Sequence, residues 1–379
     1  MAGVQVIPVM IPQLGEEEAQ AAAEAIRSGW VAQGPRVARF ETEFAAVVGA
    51  GHGVAVSSCT TGLHLALVLL DIKPGDEVIV PSLSFIATAN AVRYVGATPV
   101  FADVELATGN VTVETIDAVR TDRTRAVIAV HQGGVPFDTA ALRKATDGWG
   151  IGLVEDAACA AGSTVYGAPA GTGAKVAAWS FHPRKLITTG EGGMVTVDDP
   201  AFATRLKRLR EHGMNVSAAD RHASKQPVLE AYLETAYNYR MTDIQAAVGL
   251  VQLGRLPGLV AQRRELAARY QELLADIDGL VPVRDPAYGQ TNYQSFWVLL
   301  DGFRVSRDEV LTELAARGVS ARRGIMAAHL EPAYEGVTTA PLPVTERITR
   351  ESLILPLHHQ LTEENQNHIV GVLRELASR

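Results

Sequence analysis

A lysine set between two apolar runs has the most chemistry to offer in this sequence. In SFHPRKLITTGEGGMVTVDD (180–199), an apolar run ends in a Pro-containing turn that presents Lys185, and a Gly-rich stretch leads into a second apolar run. Burying an ammonium ion is costly unless it is paired or neutralised. One resolution is a covalent imine, because an amine that attacks a carbonyl sheds its charge in any case. The other is a solvated lysine on a surface turn. VEDAACAAG (154–162) places Glu155 and Asp156 at the end of an apolar run that reads as a strand, on the usual ligand edge of an α/β sheet. A carboxylate there either caps the next helix or, if buried, needs a cationic partner. A protonated pyridine nitrogen would be such a partner, and that pairing makes pyridoxal phosphate an electron sink. Ser57-Ser58-Cys59-Thr60-Thr61-Gly62, between a strand and a helix, offers hydroxyls and helix N-terminal N–H groups suited to a phosphate. It lacks G-x-x-x-x-G-K, so ATP is not implied.

The elements that must position these groups are legible in the hydrophobic pattern. GVAVSS (53–58), EVIVPS (77–82), TPVFADV (98–104), AVIAVHQ (126–132) and GLVEDA (152–157) alternate with helical stretches. Their near-continuous Val, Ile and Ala predict a mostly parallel sheet covered on both faces. Further strands are predicted at 176–181 and 192–198. After Asp243, IQAAVGLVQLGRL and LVAQRRELAARYQELLADI predict two long helices, with Pro257 and Gly258 as the break between them. A strand over 292–300, a helix over 307–318 and a final helix predict a smaller α+β unit. We therefore expect a large domain with its N-terminal segment over 1–255, and a linking helix with the small domain over 256–379.

The 379 residues carry 34 Lys+Arg against 42 Asp+Glu, a formal charge of −8, with 47% apolar and 20% charged residues. This is a globular composition with no basic field for nucleic acid. Two cysteines are too few for a disulfide framework or a four-cysteine zinc site, and no histidine falls in an H-E-x-x-H spacing, so no metal is expected. No basic leader is seen, and no apolar run approaches the roughly 18 residues of a membrane span, so we expect a soluble, cytoplasmic protein.

Taken together and in order, these segments resemble the DegT/DnrJ/EryC1/StrS family of pyridoxal-phosphate-dependent sugar aminotransferases. The likeness covers nearly the whole chain. It runs through SGWVAQGPRVARFE (28–41), PSLSFIATANAV (81–92), VEDAACA, SFHPRKLITTGEGGM, AYNYRMTDIQAAVG (236–249), HLEPAY (329–334) and LPLHHQLTEE (355–364). It implies an α/β fold of the aspartate-aminotransferase-like type (fold type I). In that fold a large domain, with a mostly parallel seven-stranded sheet, is joined to a smaller C-terminal α+β domain. It also implies a homodimer with shared active sites and pyridoxal 5′-phosphate as cofactor. By the resemblance, Lys185 is the Schiff-base lysine, Asp156 pairs with the pyridine nitrogen, and Thr60, Thr61 and Ser180 bind the phosphate. Phe85 packs on the cofactor ring, Asn238 reaches the phosphate of the neighbouring subunit, and His329 contacts substrate.

Three positions depart from the pattern. Cys159 stands where Gln or His usually lies beside the cofactor's 3′-oxygen, and cysteine is a weak hydrogen-bond donor. Cys59 replaces a glycine in the phosphate loop, and His-Gln-Gly-Gly-Val-Pro (131–136) differs from the commoner H-x-Y-G. Read without the family, both cysteines are small buried hydrophobes. Arg322-Arg323 reads either as a steering pair for an anionic nucleotide-sugar diphosphate or donor carboxylate, or as a solvated basic pair. His358-His359 reads as a loop near the substrate entrance. The implied activity moves an amino group from L-glutamate or L-glutamine to a nucleotide-linked keto-sugar in amino-sugar or secondary-metabolite biosynthesis. A carbocyclic or other non-nucleotide ketone is the nearer alternative. A non-catalytic cofactor-binding regulator is the more distant one, and retention of both Lys185 and Asp156 argues against it.

Overall fold

The apolar runs of the first half become one sheet. The computed structural model describes residues 6–217, 227, 229–337 and 339–379. In chain order its strands are β1 (His52–Val56), β2 (Glu77–Pro81), β3 (Thr98–Ala102), β4 (Thr124–Val130), β5 (Gly152–Asp156), the short β6 (Thr164–Val165) and β7 (Ala168–Pro169), β8 (Ala177–Ser180) and β9 (Gly193–Val197). Seven form the large sheet in the order β1-β9-β8-β5-β4-β2-β3. The pairs among β8, β5, β4, β2 and β3 are parallel, and β9 runs antiparallel to both its neighbours. Both faces are covered. Along β4, Ala126 and Ile128 join one apolar cluster while Val127 and Ala129 join the opposite one, the two-residue period of a strand buried on both sides.

A single helix, Asp243–Leu274, links this unit to the next. The break expected at Pro257 does not occur. A proline inside a helix costs about 3 kcal/mol through its missing N–H and ring clash. Buried side chains on both sides of it, from Leu253 and Leu256 to Val260, Tyr270 and Leu274, offset that cost by holding the helix against the core. Its length and mean hydropathy match those of a membrane span, contrary to the sequence expectation. It nonetheless packs on α1 (Glu16–Arg27) and α2 (Pro35–Val47) and buries the polar Asp243, Gln252 and Arg263.

The C-terminal unit has a four-stranded antiparallel sheet, β10-β12-β14-β13, from β10 (Leu280–Pro282), β12 (Phe296–Leu300), β13 (Arg322–Arg323) and β14 (Ser352–Leu355). Between β10 and β12, β11 (Gly289–Gln290) pairs with β6 and so ties the two units together. β12 begins at Phe296 and not at Asn292, because residues 291–295 form a turn with Tyr293 at φ 50°. The parallel strands β2, β4, β5 and β8 end at one edge of the large sheet. The loops that follow them carry Phe85, Gln132, Cys159 and Lys185 into a shared cleft.

Candidate active site

The cleft has a volume of about 480 Å³ and lies between that sheet edge and the C-terminal unit. Lys185 is half-buried on the loop between β8 and β9, and its Nζ lies 3.1 Å from Cys159 Sγ. Desolvation works to lower the pKa of the amine, but Cys159, Cys59 and Asp156 outweigh it and hold the ammonium above the ordinary lysine value. Cys159 is therefore a cleft residue and not the core hydrophobe its type suggested. The core places on that turn are filled by Ala157 and Ala160, leaving the thiol to face the lysine. Cys59 does fit the core reading: it is buried, and desolvation raises its thiol pKa well above the ordinary value.

Asp156 ends β5 and is 4% exposed. Its Oδ2 accepts from the Thr88 hydroxyl at 2.9 Å and its Oδ1 from the Ala158 N–H at 3.2 Å. Both partners are neutral. Desolvation consequently holds the carboxyl above its ordinary value, with Thr88, Ala158, Lys185 and His131 opposing it. Neighbouring Glu155 turns to the other face. There Arg143 meets it at 2.6 Å and His131 at 3.4 Å, and it is held below the carboxylate norm although burial pushes the other way.

α3 (Cys59–Leu69) is capped by Ser58, whose Oγ accepts from the Thr61 N–H at 3.2 Å. The Thr61 hydroxyl closes the same turn on the Ser58 carbonyl at 2.8 Å. Both polar groups of Thr61 are thus engaged within the turn. Among the described residues, the N–H groups of Cys59 and Thr60 carry no intramolecular bond and point out of the helix start. β9 presses on this loop so closely that a Cβ at Gly193 would fall 2.5 Å from the Ser58 carbonyl carbon, which is why glycine stands there. Ser180 closes β8 nearby, half-buried. Phe85 is 68% exposed on the cleft rim, a large apolar face with no protein cover.

Asn238 is exposed and outside the cleft lining, with its backbone bridged to Glu211. His329 is not brought to the cleft either. Its Nδ1 lies 2.6 Å from Ser82 Oγ and its Nε2 3.7 Å from Glu346. Arg322 and Arg323 line the mouth with Arg184, and buried Arg263 lies deeper. Partial burial, with Arg184 nearby, lowers the pKa of Arg322. Among the described residues four guanidinium groups and Lys185 line the cleft, with Arg323 paired to Glu331 at 3.5 Å and Arg263 engaged with backbone carbonyls. His358 is buried on the loop after Leu357, which lines the cleft, and desolvation pulls its pKa to about 4. Thr88, Gln132, Arg263 and Gln294 were not singled out from sequence. Thr88 lies inside the quoted 81–92 segment, three residues after Phe85, and that proximity was its only signal.

The donor set fits pyridoxal phosphate. A buried carboxylate takes its hydrogen bonds from neutral groups only, a helix start offers two N–H groups to an anion, and an amine lies near enough to Asp156 and Cys59 to act on both electrostatically.

The family model for DegT/DnrJ/EryC1/StrS aminotransferases matches residues 12–374. The chain is similar to the aminotransferase TlmJ from Streptoalloteichus hindustanus, with 38% identity, a TM-score of 0.90 and coverage of 98% of this chain and 99% of that one. It is similar to DesI, solved in the presence of its TDP-sugar product, with 33% identity, a TM-score of 0.88 and coverage of 100% and 94%. It is also similar to the PLP form of Spr1654 from Streptococcus pneumoniae, with 27% identity, a TM-score of 0.91 and coverage of 98% and 99%.

Proposed function

This chain belongs to the DegT/DnrJ/EryC1/StrS aminotransferase family, and we propose that it transfers an amino group from L-glutamate or L-glutamine to a nucleotide-linked keto-sugar. It is a pyridoxal-phosphate-dependent aminotransferase with the fold of that family. The observation that carries the substrate reading is the cleft mouth, where Arg184 and Arg322 stand with Arg323 beside them, a basic edge that suits a diphosphate-bearing acceptor. The TDP-sugar product of DesI supports it. We read the reaction as a step of amino-sugar biosynthesis in the cytoplasm.

Pyridoxal phosphate, when bound, carries the amino group between the two substrates and draws off the electrons of the donor's Cα–H bond. Asp156 would hold a proton on the pyridine nitrogen, and Thr88 donates to the carboxylate that would do so. The Cys59 and Thr60 N–H groups and Ser180 would hold the phosphate, and Phe85 would cover the ring. Lys185 would hold the cofactor through its carbonyl carbon, and as a free amine its Nζ would be the group that takes and returns the proton moved during the transfer. Cys159, at 3.1 Å, shares a proton with Nζ while the amine is free.

The protein should be yellow, and borohydride reduction should leave a pyridoxyl group on Lys185, read by peptide mass mapping; an adduct elsewhere would sink the assignment. A panel of keto-sugars with and without nucleotide, run with glutamate and read by mass spectrometry, tests the acceptor. Amination of the nucleotide-free ketones alone would replace the nucleotide-sugar reading by the carbocyclic one.

We further propose a homodimer with shared sites, supported by the exposure of Asn238. Asn238→Ala should weaken cofactor binding by about 10- to 150-fold, the worth of a hydrogen bond to a charged group. Mixing Lys185→Ala with Asn238→Ala subunits should restore activity towards one intact site per mixed dimer at sub-saturating cofactor. No recovery despite demonstrated subunit exchange would refute shared sites.

A further inference from the structure

A turn of the C-terminal unit holds the reactive lysine from both sides. The Gln294 carboxamide accepts from the Leu186 N–H at 2.9 Å and donates to the Arg184 carbonyl at 2.6 Å, so its two ends grip the peptide groups on either side of Lys185. The intervening N–H of Lys185 is fixed to the His182 carbonyl at 2.8 Å. Three of the four backbone polar groups from the Arg184 carbonyl to the Leu186 N–H are thus set. Among the short polar side chains, only a donor and an acceptor on one rigid plane can make both contacts, and the identity of the partners fixes which way the amide faces.

The turn is itself held. Tyr293 sits at φ 50°, a left-handed conformation that costs a tyrosine on the order of 1 kcal/mol or more and persists only where surroundings enforce it. Arg263, 7% exposed, supplies the enforcement: its guanidinium donates to the carbonyls of Tyr293 at 2.7 Å, Gln294 at 2.8 Å and Leu357 at 2.8 Å. Asn292 of the same turn donates to the carbonyls of Cys159 and Ala161, both at 2.8 Å, and accepts from the Gln294 N–H at 2.8 Å. Gly134 makes room for it, since a Cβ there would fall 1.9 Å from the Asn292 oxygen. One turn therefore fixes the backbone of both Lys185 and Cys159, whose side chains meet at 3.1 Å.

We propose that Gln294 is a positioning residue for the amino transfer, setting the direction of Lys185 through the peptides on either side of it. This rests on the reading that Lys185 is the residue that binds the cofactor carbonyl. Because Gln294 precedes β12 while Lys185 follows β8, the reactive amine takes its aim from the small unit and not from its own sheet alone.

The test uses the full-length dimer, stripped of cofactor and reloaded. Gln294→Leu removes both contacts at similar volume. Gln294→Glu keeps an acceptor for Leu186 but, when ionised, presents a second acceptor to the Arg184 carbonyl; when protonated it again offers one donor and one acceptor. Capture of pyridoxal phosphate on Lys185, trapped with borohydride and mapped by peptide mass, should slow by about 100-fold in Gln294→Leu, the scale of a 1 Å misplacement. Its kcat should fall in step, while the donor KM moves by no more than about threefold. In Gln294→Glu, capture relative to wild type should recover as pH falls through the new carboxyl's pKa, a dependence that loss of a simple structural tie does not produce. Folded Gln294→Leu protein capturing at the wild-type rate, or a Gln294→Glu protein with the wild-type pH profile, would overturn the proposal. Wild-type protein that traps cofactor at another lysine would instead overturn the reading of Lys185, whatever the variants do.

Discussion

Lys185→Ala protein should bind pyridoxal phosphate and fail to turn over. The contacts proposed for the cofactor lie elsewhere: the helix-start N–H groups beside Ser58, the buried Asp156 carboxylate and the exposed face of Phe85. Turnover should drop by at least the roughly 10²–10⁴-fold that a positioned general base supplies. Loss of the covalent attachment adds to this, because the incoming amine no longer meets a cofactor carbon already activated by an amine. The measurement is single-turnover loss of the donor's α-proton, followed by isotope exchange at saturating cofactor, with binding read separately by fluorescence. A variant that kept more than about a tenth of the wild-type rate would mean that another base does the work. The nearest candidate is Cys159, whose Sγ stands 3.1 Å from where Nζ was. The double variant with Cys159→Ala separates the two: a further collapse assigns the residual rate to the thiol, and an unchanged rate assigns it to solvent.

How much of this site the sequence disclosed follows from what hydrophobic patterning reports. Runs of Val, Ile and Ala mark strands buried on both faces, so β1 to β5, β8 and β9 were all foreseen to within two residues. Their lateral order was not. Patterning states that a strand is buried without stating beside which other strand, and the insertion of antiparallel β9 between β1 and β8 had no local mark. Lys185 and Asp156 stood out because charged residues at the ends of apolar runs are conspicuous. Thr88, Gln294 and Arg263 did not, since a neutral or solvent-tolerant residue in a mixed segment is unremarkable until tertiary contacts give it a partner. Pro257 misled for the complementary reason: a local helix-breaking signal was overruled by burial on both sides of it. The strand expected over 292–300 begins four residues later, at Phe296, although Asn292, Tyr293 and Gln294 precede it in a composition a strand could carry. It is Arg263, 30 and 31 residues away in sequence from Tyr293 and Gln294, that bends them into a turn. His329, taken from the family pattern, lies against Ser82 outside the cleft lining of the single chain.

Asp156→Asn should cost about 30- to 4,000-fold in kcat/KM, corresponding to the roughly 2–5 kcal/mol lost when one member of a buried, hydrogen-bonded charge pair is neutralised. The carboxamide can still accept from the Thr88 hydroxyl through its oxygen, so the fold and the position of the side chain are kept and the change isolates charge. A second consequence follows from the direction of the shift. In the free protein, desolvation holds the Asp156 carboxyl above its ordinary value, and a pyridinium placed against it would draw that value down. A group whose pKa falls on binding must release its proton for the ligand to bind. Wild-type affinity for pyridoxal phosphate should therefore weaken as pH falls through the free protein's Asp156 pKa, and be fully present above it. The Asn variant has no proton to release at this position. The difference between the two affinity profiles should remove titration of the cofactor's phosphate, which is common to both, and report the coupled protonation of Asp156 and the ring nitrogen it faces. Parallel profiles, or an Asn variant with wild-type kcat/KM, would show that Asp156 does not face the pyridine nitrogen and that the cation its buried carboxylate lacks is supplied in some other way.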